Sequence, residues 1–299
     1  MERLLNKSRK ALVLALTDPL EFGHRLRLFL NETIQRRFPR KPESAKSGKI
    51  RRNGVVFRID LALDPVMESM YFRTYQSDLV ALMERILRPG DSFIDVGANV
   101  GYVSAIALSL VGRKGQVHAF EPVPQYADRL RHVQQDNPRY NLQVNPVALS
   151  DQPGIATICV TNLPNIGWNT MVPQFMGRST VQAEVDVSVT TLDRYLTTTT
   201  VPNLRLIKID TEGYEFPVLK GLQTTLSSCD PLPALVVEIA PAAYPNLGMS
   251  LAELAIFMRN LGYQSWDMAI AHPVEITELT QTTDVVFLSR AFISTYEPQ

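Results

Sequence analysis

Between residues 92 and 101 the chain reads SFIDVGANVG: a short apolar run, an acid at Asp95, then Gly97 and Gly101 around Asn99. An apolar run followed by glycines is what a buried strand and a tight turn into a helix require, and ligands of doubly wound sheets collect at such strand ends. The dinucleotide fingerprint Gly-x-Gly-x-x-Gly is not met, because Asn99 takes the middle and Tyr102 stands where a third glycine is wanted. Asp95 suits a cationic ligand and opposes a pyrophosphate. S-adenosylmethionine carries an ammonium and a sulfonium and no phosphate, so it fits this stretch better than NAD. Glu121 ends the next apolar run, 20 residues after Gly101. An acid at that point binds a ribose diol. NAD would use the same acid, so the choice rests on Asp95 and the glycine spacing.

A second cluster is LIKIDTEGYE, residues 206–215, with Lys208, Asp210 and Glu212 alternating along an extended segment. Glu238 closes a later apolar run, ALVVEI. Charged residues at the ends of apolar strands are costly unless they face ligand or water. The plainer reading is an ion-paired strand end, with Lys208 against one acid. A sulfonium methyl is already activated, so transfer to an alcohol needs in-line placement and a base for the hydroxyl proton. Asp210 is the first candidate for that base and Glu238 the second. Lys208 would orient Asp210 or lower the pKa of the hydroxyl. His272, in the loop AIAHPVE, is a further candidate that reads better as a surface residue; His118 lies inside a strand and reads as structural. An oxygen-ligated Mg²⁺ on Asp210, Glu212 and Glu238 lacks any histidine cluster and is not favoured. Cys159 and Cys229 have no metal-ligand spacing.

The elements around these residues alternate. SFIDV, QVHAF, LQVNPVAL, LRLIKID and ALVVEI read as strands, separated by helices such as YVSAIALSLVG, PQYADRLRHVQQ, FPVLKGLQTTL and SLAELAIFMRNLG. YQSW and DVVFLS add a closing hairpin. Apolar strands separated by helices predict an α/β fold with a seven-stranded, mostly parallel sheet covered on both faces. Residues 155–189 break the rhythm and end in the alternating run VQAEVDVSV. They predict a β-hairpin inserted after the third strand. Asn165, Trp168 and Asn169 in its loop would suit a sugar. IRRNGVVFRIDLAL, residues 50–63, predicts a hairpin turning at Asn53-Gly54.

The 299-residue chain has no net charge, yet residues 1–54 hold 14 basic and 5 acidic residues. A basic, helical extension and linker over 1–48 therefore precedes a mildly acidic domain over 49–299. No stretch reaches the roughly 20 apolar residues of a membrane span, and the N-terminal apolar run ALVLAL is too short for a signal peptide. The expectation is a cytoplasmic protein, with the arm available for peripheral contact with acidic membrane.

FIDVGANVG, FEP at 120–122, NPVALSD at 145–151, TLDRY at 191–195 and IKIDTEGYE occur in this order and closely resemble the FkbM family of S-adenosylmethionine-dependent methyltransferases. The likeness spans about residues 70–290. It implies the class I methyltransferase fold, which is Rossmann-like, and O-methylation of hydroxyls on sugars of glycans or on polyketides. It implies that Asp95, Gly97, Asn99 and Gly101 line the methionine end of the cofactor, that Glu121 holds the ribose and that the turn beginning at Ala148 lies near adenine. Asp210 would face the site of transfer. Two departures stand out. The family often carries Gly-x-Tyr-Glu where this chain reads RTYQ, so Tyr75 is kept beside the cofactor and Gln76 makes its contact neutral. The family often has His where this chain has Ala240.

Other classes of function leave weaker marks. The Asp/Asn-Pro-Pro-aromatic motif of amino-group methylation is absent, and an acidic body is a poor track for phosphates, so no nucleic-acid partner is expected. Methylation of another acceptor, such as nucleic acid or lipid, and a cofactor-binding module without catalysis remain the alternatives.

Overall fold

A computed structural model describes residues 47–60, 66–161, 169–172 and 181–295. The helical extension expected over 1–48 lies outside them almost entirely, as do Asn165 and Trp168. An N-terminal hairpin of β1 (Ser47–Arg52) and β2 (Val55–Asp60) turns at Asn53 and Gly54, both at positive φ. That is the backbone a two-residue hairpin turn requires.

The core sheet follows with β3 (Ser92–Val96), β4 (Gln116–Phe120) and β5 (Asn141–Asn145). The short β6 (Ala148–Leu149), β7 (Gly154–Thr161) and β8 (Val181–Thr190) form a separate sheet in the order β6-β8-β7. The main sheet resumes with β9 (Leu204–Ile209), β10 (Ala234–Ile239), β11 (Tyr263–Trp266) and β12 (Thr283–Ser289). Its order is β11-β12-β10-β9-β3-β4-β5, with β12 antiparallel to both neighbours and the other pairs parallel. This is the seven-stranded sheet expected. After β3 the chain winds outward through β4 and β5, then returns to lay β9 on the other side of β3. The strand ends between β3 and β9 are therefore the switch point at which such sheets bind ligands.

Two apolar layers cover the sheet. The helix Tyr102–Val111 is buried nearly all round because it is clamped between sheet and hairpin. Helices 215–220 and 251–260 cover the other face. Two elements depart from the expectations. NPVAL does not continue β5; after a kink at residues 146–147 its last residues leave the main sheet and pair with β8. FPVLKGLQTTL breaks into two short helices at Gly221, where a Cβ would stand 1.9 Å from the Ser150 carbonyl oxygen. TLDRY opens a helix, Leu192–Thr198, capped by the Thr191 hydroxyl accepting from the Arg194 N–H at 3.0 Å. The Asp193 carboxylate in turn accepts from the Thr224 and Thr225 N–H groups at 2.9 and 2.8 Å, which caps the helix after Gly221. Among the described residues no helix is long and apolar enough to cross a membrane.

Asn137 fastens the hairpin to the domain. Its buried amide accepts from the Val56 N–H and donates to the Val56 carbonyl, both at 2.7 Å, as a strand partner would. Asn137→Ala leaves two buried backbone groups unpaired, which costs on the order of 2 kcal/mol. Urea unfolding of the variant is expected to show that loss, and an unchanged midpoint would mean that the hairpin contributes no net stability through this bond.

Candidate active site

One cavity opens at the switch point. Its walls are the turn after β3 (Val96–Val100), the end of β4 with Glu121, the segment Val147–Leu149, Tyr75 and Gln76, and the end of β9 with Lys208 and Asp210–Glu212. Asn169 and Met171, from the segment linking β7 to β8, close it.

The geometry begins with a register. Asp95 on β3 lies directly across from Lys208 on β9. The Lys208 ammonium, 4% exposed, sits 3.4 Å from Asp95 Oδ1 and 3.2 Å from Asp210 Oδ2, and donates to the Gly97 carbonyl at 3.0 Å. The carboxylates on either side raise its pKa despite burial, so it is a fixed cation and not a base. Asp95 is fully buried behind it, its Oδ2 accepting from the Ser104 hydroxyl at 2.6 Å. Asp95 and Gly101 thus support the cavity wall and do not line it. Gly101 starts the helix with φ +86 and packs on Leu130.

Gly97 has a reason the sequence did not reveal. It adopts φ +74, and a Cβ there would lie 1.8 Å from the Asp210 carbonyl oxygen. The glycine is needed for the close passage of two strand ends as well as for any ligand. The Asp210 N–H donates to the Val96 carbonyl at 3.1 Å, which completes that crossing.

Glu121 is buried at the tip of β4. Its Oε2 accepts from the Asn99 N–H at 2.8 Å and its Oε1 from the Val123 N–H at 2.9 Å. Burial pushes its pKa up to about 7 against the pull of those bonds. Ala148 lies on the wall beside it. Tyr75 packs edge-on against Tyr102, and burial raises its phenol pKa. Gln76 donates to Asp210 Oδ2 at 3.4 Å, while its own buried Oε1 has no partner among the described residues. That oxygen on the cavity wall suits an ammonium donor, and with Glu121 it gives the cavity acceptors of the kind the ammonium and ribose hydroxyls of S-adenosylmethionine would use.

Asp210, Glu212 and Glu238 converge, with ligand oxygens all within 4.8 Å of one another. Glu238 approaches from β10 and is not part of the cavity wall proper. Burial and mutual repulsion raise the pKa values of Glu212 and Glu238, so these two retain protons that a metal ion would have to displace. His272 is exposed in its loop, and His118 is buried with its ring bonded to Tyr195 and Gln116. Sequence reading assigned no role to two residues that shape the site. Glu215 is fully buried beneath the turn after β9, and Thr170 reaches that turn from the inserted sheet. Glu215 stood in a quoted motif; Thr170 had no signal at all.

The family model described as the Methyltransferase FkbM domain matches residues 95–265, more than half of the chain. A hexuronic acid methyltransferase, AglP, from Haloferax volcanii is 28% identical over 57% of this chain and 65% of its own length. This chain therefore spans less than two thirds of that relative. Among solved structures, a precorrin-6y C5,15-methyltransferase from Geobacter metallireducens aligns with 13% identity and a TM-score of 0.39 over 70% of this chain and 85% of its own. A Methanococcus jannaschii fibrillarin aligns with 10% identity and a TM-score of 0.40 over 84% and 85%.

Gly97→Ala is expected to destabilise the protein by more than about 2 kcal/mol, since both the Asp210 carbonyl and the positive φ oppose it. Urea unfolding measures this, and a loss below about 0.5 kcal/mol would show that the crossing yields easily. Glu121 and Glu215 share one pH signature. Both are raised from 4.5 to about 7 by burial. Their contribution to stability is full below the unfolded value of 4.5 and is lost as pH rises through about 7. The cofactor-free protein is expected to lose stability steadily from about pH 5 to about pH 8, and Glu121→Gln to flatten part of that slope. A wild-type stability that rises over this interval would contradict the assignment.

Proposed function

The chain belongs to the FkbM family of methyltransferases, and on that footing we propose that it transfers the methyl group of S-adenosylmethionine to a hydroxyl oxygen of a sugar, free or within a glycan. One observation carries this reading: Asp210, with a side chain 19% exposed, shares a single cavity with Glu121 and Ala148. A carboxylate that reaches solvent at the mouth of an otherwise buried charge cluster is placed to meet an acceptor. The name of the Haloferax relative supports a sugar as the acceptor class.

In this reading Glu121 accepts from the ribose hydroxyls with the lone pairs left over from Asn99 and Val123. Ala148 and Leu149 offer an apolar wall to the adenine. The Gln76 carbonyl takes the ammonium of the methionine end, with Tyr75 beside it. The cofactor supplies a methyl group already activated by its positive sulfur. A carbon–oxygen bond forms as the carbon–sulfur bond breaks, S-adenosylhomocysteine leaves, and the hydroxyl proton passes to the Asp210 carboxylate. Lys208 holds Asp210 in line from behind. Glu238, the second candidate from the sequence, keeps its own proton through burial and the neighbouring acids and is not free to receive another.

Titration calorimetry with S-adenosylmethionine and NAD tests the cofactor, and a panel of neutral and uronic-acid glycosides tests the acceptor. Binding of S-adenosylmethionine alone is expected. Asp210→Asn is expected to lower methyl transfer by about 100-fold or more while cofactor affinity stays within about threefold. Full transfer by that variant would remove Asp210 from the chemistry. Binding of NAD alone would overturn the reading of the cavity.

A further inference from the structure

Glu212 adopts φ +54 and Gly213 φ +100, so the turn that follows Asp210 runs through two successive left-handed residues. A glutamate in that region is strained by its Cβ and persists only where its surroundings over-determine it. Two buried side chains do so. Glu215, fully buried, accepts through one oxygen from the Thr211 N–H at 3.1 Å, the Thr211 hydroxyl at 3.1 Å and the Gly213 N–H at 2.8 Å. Thr170, 1% exposed, donates its hydroxyl to the Glu212 carbonyl at 2.6 Å and accepts from the Val172 N–H at 2.9 Å. One grips the turn from its own helix, the other from the segment between β7 and β8.

We propose that Thr170 and Glu215 are positioning residues that clamp the Thr211–Gly213 turn from both sides, so that the carboxylates of Asp210 and Glu212 converge with Glu238 at the cavity mouth. Neither lines the cavity. Each acts through the turn. Thr170 also ties the shape of the turn to the seating of the inserted sheet, since its neighbours Asn169 and Met171 form the cavity wall on that side. An acceptor that shifts this wall therefore shifts the turn that carries Asp210. The catalytic consequence rests on the reading of Asp210 given above; the clamp itself does not.

Hydrogen exchange on the full chain tests the clamp, with Thr170→Val, Thr170→Ser and Glu215→Gln. Serine keeps the hydroxyl and valine keeps the shape. The amides of residues 211–214 are expected to exchange about tenfold faster or more in Thr170→Val, with those of β9 unchanged and with wild-type exchange restored in Thr170→Ser. Glu215→Gln is expected to accelerate the Thr211 and Gly213 amides, because a neutral amide oxygen is a weaker acceptor than an ionised carboxylate oxygen. S-adenosylmethionine affinity by calorimetry should stay within about threefold. With methyl glucuronide as acceptor, kcat is expected to fall about tenfold in Thr170→Val, with KM for S-adenosylmethionine held and with recovery in Thr170→Ser. Unchanged exchange in both Thr170→Val and Glu215→Gln, a uniform rise across the domain, or faster exchange with undiminished kcat would each overturn the proposal. Full activity of Asp210→Asn alongside the expected exchange pattern would sink the Asp210 reading and leave the clamp in place.

Discussion

The Lys208 ammonium lies at the seam between β3 and β9, within 3.4 Å of Asp95, 3.2 Å of Asp210 and 3.0 Å of the Gly97 carbonyl. Taking a cation and two carboxylates out of water is expensive, and it is tolerated only when each partner is held in place. Here each is. Asp95 is fixed by Ser104 and by the strand register, Gly97 by its bond to the Phe120 carbonyl, and Asp210 by the Val96 carbonyl. Removing one member of such a set strands the others, at a cost on the order of 3–5 kcal/mol. The same ammonium therefore joins the two halves of the sheet and sets the position of the Asp210 carboxylate.

Around that cation the acids outnumber their partners. Glu121, Glu212, Glu215, Glu238 and Asp284 all have raised pKa values, burial being the leading cause in each. Such groups are stored protons and hydrogen-bond donors at neutral pH as much as charges. The arrangement separates two tasks. Glu121 is tied to backbone N–H groups of the turn after β3, on the side that suits a ribose. Glu212, in the turn after β9, and Glu238, near the end of β10, lie together with Asp210, and both are pushed toward the protonated form. The cavity's surroundings are acidic, as Asp95 first suggested, although Asp95 itself stays buried behind the wall.

Much of the sheet was legible in the sequence because each core strand is a continuous apolar run flanked by glycine, proline or an acid. The switch point followed from the order of those runs. The failures share a physical cause. Val147–Leu149 read as a continuation of β5, because a short apolar run says nothing of which sheet it joins. Gly221 read as a tolerated glycine within a helix, because the approach of the Ser150 carbonyl is a tertiary contact. At the site, residue types were visible but directions were not. Lys208, Asp210 and Glu212 share an alternating pattern in the sequence, and only the register shows that Lys208 turns inward between Asp95 and Asp210. Thr170 was invisible because its significance depends on a single hydrogen bond across 42 residues.

That bond bears on why strand ends and insertion have to be read together. The strand ends alone would give a turn free to relax, since nothing in β9 forces Glu212 into a left-handed conformation. The strain is held by Glu215, which belongs to the core element, and by Thr170, which belongs to the inserted sheet. A replacement of the insertion that changed its acceptor wall would also have to supply a hydroxyl, or an equivalent donor, to the Glu212 carbonyl. The inserted segment's wall of the cavity and the turn that follows Asp210 are in this way physically linked. Gly97 is not independent of that turn, since Lys208 bonds both its carbonyl and Asp210, whereas Glu121 is tied, among the described residues, only to the Asn99 and Val123 N–H groups.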